Sequence, residues 1–287
     1  MKDYKFTIFT PCYNGEKTIE RVFNSVANQT YKNFEWIIVN DGSKDKSKDI
    51  INELRKKYQE IDEKIIYLEQ KNMGKHMAWN RGVETATGDL FLSADADDSF
   101  LPNTLEYFNE KINAIPDVSE KGLQNSIFSG INVCVYDPAN NKIVGTPYPK
   151  NGLESNNVEL QYKYDIRGEH WGIVRTDLLK INKFPVGKGP FWAENRLWFT
   201  LAKHGYKVLC FNDCLRAYFY EQESLTHAHR HKFNRDVVSM FLKNEIWILK
   251  ELGGMIYSYS IKGYLGLYCN IIKYSLKYFV SLFTGKQ

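Results

Sequence analysis

The sequence has few cysteines, and none of them stands in a paired motif. The chain of 287 residues has five, which is an odd number without CxxC spacing: Cys12, Cys134, Cys210, Cys214 and Cys269. This argues against a disulfide framework and against a zinc ribbon. A reducing cytoplasm fits this pattern best.

Strong charge of one sign is also missing. The formal net charge is +4, and no dense basic stripe with interleaved aromatics occurs in the first 230 residues, so we expect no nucleic-acid partner. Charged residues make up 25% and hydrophobic residues 43%, without a repeat or a low-complexity segment. These ordinary values exclude a disordered or fibrous chain.

Long hydrophobic runs are absent as well. Uncharged stretches near the C-terminus, such as 263–272, fall short of the roughly 20 residues that span a bilayer. The start of the chain is too charged and its apolar run too short for a signal peptide. We therefore expect no transmembrane helix and a cytoplasmic location.

What the sequence does contain is an alternation of strand and helix patterns. Apolar strand-like runs at 6–10, 34–39, 64–68 and 90–92 are separated by segments with helical spacing at 18–29, 50–58 and 77–85. Such alternation predicts an α/β fold with a Rossmann-like, mostly parallel central sheet flanked by helices.

The alternation weakens after residue 115, and a mixed sheet is expected there. Hairpin strands are predicted at 127–136 and 142–146, a helix at 194–204, strands at 206–212 and 215–220, and from about 232 a helical extension with a break at Gly253-Gly254. We predict a domain over 1–230, with halves 1–115 and 116–230, and a helical C-terminal extension over 231–287.

Polar residues cluster where the predicted parallel strands end, which is where ligands bind in such sheets. The clearest group is Asp95-Ala96-Asp97-Asp98, because closely spaced carboxylates repel one another unless a cation such as Mg²⁺ or Mn²⁺ neutralises them. The alternative is a solvated turn in which Asp98 caps the next helix. Its place beside the other strand ends favours the metal site.

Two further loops fit a nucleotide. Asp41, in an Asp-Gly turn, is placed to accept hydrogen bonds from a base or ribose, although a plain turn explains it equally well. In the loop Asn72-Met73-Gly74-Lys75, the glycine permits close backbone approach and Lys75 could meet phosphate.

These loops appear together in one order, and that order carries a family resemblance. The segments Thr10-Pro11-Cys12-Tyr13-Asn14-Gly15, Val39-Asn40-Asp41-Gly42-Ser43, Asn72-Met73-Gly74-Lys75 and Asp95-Ala96-Asp97-Asp98 resemble the family-2 glycosyltransferases, inverting enzymes of GT-A fold. The resemblance is strong over 5–105 and can be followed to about residue 228.

The resemblance implies roles for these residues. A nucleotide diphosphate sugar, usually UDP-linked, would be bound by Thr10, Pro11, Tyr13, Asp41, Asn72, Gly74, Lys75, Asp95 and Ala96. Asp95 and Asp97 would form the DxD motif, with Asp97 the more direct ligand of Mn²⁺ or Mg²⁺. Where many relatives carry Ala-Arg-Asn before a glycine, this chain has Ala78-Trp79-Asn80-Arg81-Gly82. Either Lys75 or Arg81 could replace the usual phosphate-side arginine, although a solvated helix position explains Arg81 equally well.

In the second half, the segment 191–198 resembles the family segment in which a Glu-Asp pair supplies the general base. The second acid is replaced by Asn195, so Glu194 would be the base. Glu221 stands where relatives often have a histidine, and Glu221, His227 or His229 could complete the metal shell. Trp171 and Trp192 could stack on an acceptor sugar, although core packing is the commoner role of tryptophan.

In the C-terminal extension, lysines 262, 273 and 277 gather on one helical face and several tyrosines on the other. This pattern suits the inner face of a cell membrane, packing on the protein's own domain, or a homodimer equally. The implied function is sugar transfer to a saccharide or lipid-linked acceptor in bacterial polysaccharide or lipopolysaccharide synthesis.

Two alternative functions compete with sugar transfer. A nucleotidyltransferase would be expected to have a Gly-rich basic loop after its first strand, and Pro11-Cys12-Tyr13-Asn14 is not one. A catalytically inactive nucleotide-sugar binding module stays open because Asn195 and Glu221 depart from the family pattern.

Overall fold

The computed structural model describes residues 1–186, 194–219 and 235–284. Within these ranges the chain forms one mixed sheet covered by helices, as the sequence predicted. The strands are β1 (Phe6–Cys12), β2 (Phe34–Asn40), β3 (Ile65–Glu69), β4 (Leu90–Ser93), β5 (Ser99–Phe100), β6 (Phe128–Asp137), β7 (Lys142–Val144), β8 (Leu153–Ser155), β9 (His170–Arg175) and β10 (Lys207–Ala217).

The helices lie between and after these strands. They are α1 (Ile19–Ala27), α2 (Ser47–Lys57), α3 (Gln59–Asp62), α4 (Lys75–Thr85), α5 (Thr104–Asn113), α6 (Pro116–Lys121), α7 (Asn157–Tyr162), α8 (Thr176–Ile181), α9 (Asn195–Lys203), α10 (Arg235–Tyr259) and α11 (Ile261–Thr284). A single 3₁₀ turn covers Leu123–Asn125 in the described residues.

The sheet has the order β3-β2-β1-β4-β9-β6-β10-β5, with β7 at the edge of β6 and β8 beside β10. The first four strands are parallel, and β9 joins them antiparallel to both β4 and β6. The hairpin of β6 and β7 confirms the mixed second half that the sequence predicted.

The strands β1 and β2 are apolar along their whole length because helices cover both faces of the sheet. Alternate residues face opposite cores: Ile8 and Trp36 belong to one cluster, and Phe9 and Ile37 to the other. On the second face α4 approaches closely at Gly82, where a Cβ atom would lie 2.3 Å from the Phe9 ring. The fold therefore fixes α4, and the loop before it, against β1.

Two predictions of secondary structure were wrong. The predicted strands 206–212 and 215–220 are one strand, β10, whose register shifts between Phe211 and Cys214. The predicted break at Gly253-Gly254 is absent, since α10 continues to Tyr259 and the chain turns at Ser260. Gly253 instead lies where α10 meets α11, and an added Cβ would be 3.3 Å from Tyr264.

The tyrosine face of α11 packs within the protein. Tyr264 makes an edge contact with Tyr257 of α10, Tyr274 stacks on Phe241, and Arg235 lies over the Tyr278 ring. Helix α10 in turn contributes to a core cluster with α7 and α9. Packing on the protein's own helices is thus the observed role of that face, and the domain limits at 230 and 231 stay predictions.

Candidate active site

Parallel pairing brings the loops after β1, β2, β3 and β4 to one edge of the sheet. Cys12 pairs with Asn40, and Asn40 with Glu69, so the first three strands end level with one another. Hydrogen bonds then join the loops directly: the Asn14 amide donates to Ser43 Oγ, and the Lys44 amide donates to Asn14 Oδ1. The strand-end residues that the sequence singled out therefore share one surface.

Asp41 organises the loop before α4. Its carboxylate accepts hydrogen bonds from the backbone amides of Met73 (2.9 Å) and Gly74 (2.8 Å) and from the side chain of Gln70 (2.8 Å). The side chain is only 3% exposed. Gly74 has φ +93°, a conformation that side chains rarely adopt. In this structure Asp41 positions the loop, and it holds the start of α4 in place.

The loop after β1 divides into buried and exposed residues. Thr10 is fully buried and its hydroxyl accepts a hydrogen bond from Trp36 Nε1 at 3.0 Å, whereas Tyr13 is 40% exposed. Pro11 and Ala96 are half-buried, and Asn72 is exposed. Of the predicted nucleotide-binding residues, Tyr13 and Asn72 thus have the most accessible side chains, and Thr10 has a packing role.

The acidic turn after β4 is closed by its own hydrogen bonds. The Asp95 amide donates to Asp98 Oδ2 at 2.8 Å, and the Asp98 amide donates to the Asp95 carbonyl at 3.0 Å. Arg21 of α1 donates to the Asp97 carbonyl at 2.9 Å. These contacts fix the turn so that the carboxylates of Asp95 and Asp97 are held near each other.

Lys75 is the first residue of α4, and its side chain extends to this turn. Its ammonium nitrogen lies 2.7 Å from Asp95 Oδ2. Burial alone would lower the pKa of Lys75, but the carboxylates of Asp95 and Glu194 outweigh burial and raise it. Burial alone would raise the pKa of Asp95, but Lys75 outweighs it, so the pKa of Asp95 is lowered. The pair is ionised.

The other two acids behave differently. Burial and the neighbouring Asp95 carboxylate raise the pKa of Asp97. Burial raises the pKa of Asp98 to about 7, although the Arg216 guanidinium opposes the rise. Both carboxyls therefore keep their protons to a higher pH than an exposed aspartate does.

Arg216 is a site residue that the sequence reasoning missed. It is 7% exposed, and it donates to Asp98 Oδ2 and to Glu169 Oε2, each at 3.2 Å. It lies late in β10, within the second of the two strands that the sequence pattern predicted there. A lone arginine inside an apolar strand pattern was the signal that could have identified it.

The residues present fit a divalent cation. Asp95 Oδ1 is buried and has no hydrogen-bond partner in the described residues, and the Asp97 carboxyl has a raised pKa. Among residues 1–186, 194–219 and 235–284, no group of three or more His, Cys, Asp or Glu side chains is arranged to hold a metal. Mg²⁺-type ions are commonly held by one or two carboxylates together with substrate phosphates, which is what Asp95 and Asp97 offer.

Glu194 lies immediately before α9 and within electrostatic reach of the same cluster. Burial raises its pKa, Lys75 opposes the rise, and the carboxylates of Asp95 and Glu169 add to it. The next residue, Asn195, is turned toward α10, where its Oδ1 accepts from Asn244 at 3.3 Å. Asn195, which stands where the family pattern has its second acid, is thus a helix contact in this chain. Glu194 is the carboxylate near Lys75 and Asp95.

Trp171 lies in the core in this structure. It is 5% exposed, its Nε1 donates to the Ser93 carbonyl at 2.5 Å, and its rings pack against Phe100 and Phe108. The indole thus has little surface to offer an acceptor sugar. Predictions for Trp192, Glu221, His227 and His229 lie outside the described residues. Of the two residues that could replace the phosphate-side arginine, Arg81 donates to the Glu69 carbonyl, whereas Lys75 lies beside the acidic turn.

Solved structures share this fold. The Pyrobaculum calidifontis mannosyltransferase PcManGT, in complex with GDP-Man and Mn²⁺, has a TM-score of 0.61 at 17% identity, covering 100% of this chain and 77% of its own. Staphylococcus aureus TarS 1–349 with UDP-GlcNAc has a TM-score of 0.59 at 18% identity, covering 96% and 73%. Both likenesses establish a GT-A fold for this chain.

Sequence comparison defines the family. A family model described as "Glycosyl transferase family 2" matches residues 7–179. The chain belongs to this family. It is 27% identical over 277 residues to the glycosyltransferase GlyA of Streptococcus pneumoniae, covering 96% of this chain but only 38% of GlyA. It is also 29% identical over 220 residues to TuaG of Bacillus subtilis, a putative teichuronic acid biosynthesis glycosyltransferase, covering 74% of this chain and 77% of TuaG.

Proposed function

We propose that the chain is an inverting glycosyltransferase that moves a sugar from a nucleotide diphosphate donor to an acceptor hydroxyl. The observation that carries the proposal is the meeting of four charged side chains at the strand ends: Lys75, Asp95, Asp97 and Glu194. A leaving diphosphate is stabilised by a cation such as Lys75 and by a metal ion held by carboxylates. An acceptor hydroxyl needs a general base, and Glu194 can supply it.

The donor binds across the ends of β1, β2 and β4. Tyr13 and Asn72 contact the nucleoside, and Asp41 holds the loop that presents Lys75 to the diphosphate. Asp95 and Asp97 would hold Mn²⁺ or Mg²⁺, which would supply positive charge to stabilise the diphosphate leaving group. UDP is the nucleotide that we test first, because the family resemblance implies uridine and TarS has been solved with UDP-GlcNAc.

Glu194 acts as the general base. It accepts the proton of the acceptor hydroxyl while the acceptor oxygen bonds to C1 of the sugar and the bond from C1 to the diphosphate oxygen breaks. A single in-line displacement inverts the configuration at C1. The raised pKa of Glu194 brings it closer to the working pH, where a base is most effective.

The acceptor is a saccharide or a lipid-linked saccharide used for polysaccharide or lipopolysaccharide synthesis on the cytoplasmic side of a membrane. The similarity to TuaG, whose name gives a role in teichuronic acid biosynthesis, supports this setting. The five cysteines are free thiols, in keeping with a reducing compartment.

The test is a thermal-shift panel of nucleoside diphosphates and nucleotide sugars, each with and without Mn²⁺. Ligand at 100 times its dissociation constant stabilises the folded state by about 2.7 kcal/mol, so one metal-dependent rise in Tm is expected. Asp97→Asn should remove that rise. The matched control Asp165→Asn, at a side chain 81% exposed, should keep it.

Two outcomes separate the proposal from its alternatives. A folded protein whose Tm responds to no nucleotide would contradict a donor site altogether. A metal-dependent shift without donor hydrolysis or transfer would favour the catalytically inactive binding module. Hydrolysis of the donor that needs Mn²⁺ and falls in Glu194→Gln would exclude that module.

A further inference from the structure

Helix α11 has an exposed row of large apolar side chains that the sequence pattern did not single out. The row consists of Ile261, Leu265, Tyr268, Ile272, Leu276 and Phe279, which we name the apolar stripe. Their exposed fractions lie between 43% and 61%. Spacings of three and four residues place them on one side of the helix, over a length of about 27 Å. Isolated exposed apolar residues are ordinary, but a continuous row of six is not.

The stripe does not face the rest of the protein. The contacts of α11 with α10 are made by another side of the helix, where Leu267 is 2% exposed and Tyr264, Tyr274 and Tyr278 meet aromatic or arginine partners. In the part of the chain that is described, no helix is long and apolar enough to cross a bilayer. The stripe is therefore a surface feature and not part of a membrane span.

The lysines of α11 lie beside the apolar stripe at regular positions. Each lysine of α11 directly follows a stripe residue: Lys262 follows Ile261, Lys273 follows Ile272, and Lys277 follows Leu276. The lysines therefore lie along one flank of the stripe, about 100° round the helix. The 24 residues of α11 include no Asp and no Glu. Within α11, Lys262 and Lys273 thus have no acidic residue beside them.

We propose that this side of α11 docks on an anionic lipid surface, with the helix lying in the plane of the bilayer interface. The apolar stripe enters the boundary between headgroups and acyl chains, and the flanking lysines extend to the lipid phosphates. Tyr268 suits the interface because its ring is apolar and its hydroxyl is polar. The surface would bring the enzyme to acceptors that are lipid-linked, but it does not depend on the proposed transfer reaction.

The lysines favour lipid over a second copy of the chain. Pairing two α11 helices through the stripe would bring their lysine flanks into the interface, and α11 has no carboxylate to compensate them. Anionic headgroups supply an opposite charge for Lys262 and Lys273. Glu245 of the neighbouring helix α10 accepts a hydrogen bond from Asn270.

The experiment is flotation of the full chain with vesicles of phosphatidylcholine, with and without about a third phosphatidylglycerol. We expect binding to the anionic vesicles and little to phosphatidylcholine alone. Leu265→Glu/Ile272→Glu should abolish flotation. Lys262→Gln/Lys273→Gln should weaken it by about fivefold per lysine and reduce its dependence on salt. No nucleotide is present, so failure here is independent of failure of the proposed function.

The control is a double substitution of exposed apolar residues elsewhere, Ile143→Glu/Ile181→Glu, which should float like the parent protein. Thermal melts and sedimentation of each variant check folding and association. Equal loss in the stripe and control variants would overturn the proposal, as would a folded parent that ignores anionic vesicles. A dimer that Leu265→Glu/Ile272→Glu converts to monomer, without vesicle binding, would show that a second copy covers the stripe.

Discussion

Arg216 and Asp98 are 118 residues apart in sequence and are joined at 3.2 Å, both almost fully buried. Through this contact, the long strand β10 holds the acidic turn that follows β4. The Asp98 carboxylate also accepts the Asp95 amide, so the guanidinium acts on the turn through Asp98. Arg216 is therefore a positioning residue for the candidate metal site.

Arg216→Met should destabilise the protein and weaken metal-dependent nucleotide binding. Removing one partner of a buried ion pair costs about 3 to 5 kcal/mol when the remaining group stays charged. Because the pKa of Asp98 is already raised to about 7, proton uptake should place the loss below that range. Denaturant unfolding measures the loss, and the double variant Arg216→Met/Asp98→Asn should recover part of it. The control Arg167→Met breaks an exposed pair with Asp165 and should change stability by less than about 1 kcal/mol. If Arg216→Met and Arg167→Met lost the same free energy of unfolding, the buried contact of Arg216 with Asp98 would not be important for stability.

The parts of the fold that could be predicted are those with local patterns. Apolar runs and turn residues located β1 to β4 and placed Asp41, Lys75 and Asp95 at one sheet edge. What could not be predicted depends on distant partners. The role of Asp41 in binding the amides of Met73 and Gly74, and the match of Arg216 with Asp98, both need the folded chain.

Gly253 shows a different limit of sequence reasoning. A Gly-Gly pair predicts a helix break because glycine lowers helix stability by about 1 kcal/mol relative to alanine. In the structure, the close contact with Tyr264 of α11 explains the glycine, and α10 continues through it. Tertiary packing outweighs local propensity at such positions, and the packed partner cannot be read from the helix alone.

Lys75→Met should weaken the binding of UDP more than the binding of uridine. Lys75 is placed at the acidic turn, and a hydrogen bond to a charged group contributes about 1.5 to 3 kcal/mol, equivalent to a tenfold or greater loss for the diphosphate. Titration calorimetry with both ligands measures the difference. Lys71→Met changes an exposed lysine of the same loop and should bind both ligands normally. Equal weakening of uridine and UDP would mean that Lys75 is needed for folding of the loop rather than for phosphate.

Glu194→Gln should lower kcat by about 10² to 10⁴ and leave the nucleotide-induced rise in Tm unchanged. The base must be deprotonated to act, and burial raises its pKa above the usual range of glutamate. The rate of the parent enzyme should therefore rise with pH through that raised pKa and level off above it. The rate of the variant should not rise with pH over this range. Glu84→Gln, at an exposed side chain paired with Lys183, should keep both the rate of the parent enzyme and its rise with pH. A variant with normal kcat would require another base.

Glu35 lies at the opposite end of the sheet from the candidate site, and we expect its carboxylate to stabilise the folded protein. Its carboxylate accepts hydrogen bonds from Lys5, Thr7 and Thr87, and so joins β1, β2 and the turn before β4. Burial alone would raise the pKa of Glu35, but these hydrogen bonds outweigh it and lower the pKa to about 2 from 4.5. A shift of that size corresponds to about 3 kcal/mol of stability.

The sign of the pH dependence follows from the lowered pKa. The unfolded chain binds a proton at Glu35 near pH 4.5, before the folded protein does, so the stabilisation is complete above that pH and is lost as pH falls toward about 2. Glu35→Gln should unfold about 3 kcal/mol more easily at pH 7, and the difference from the parent should shrink over that acidic range. Glu120→Gln, at an exposed glutamate, should match the parent. A difference that stays constant from pH 7 to pH 3 would mean that Glu35 stabilises the protein by packing and not by its charge.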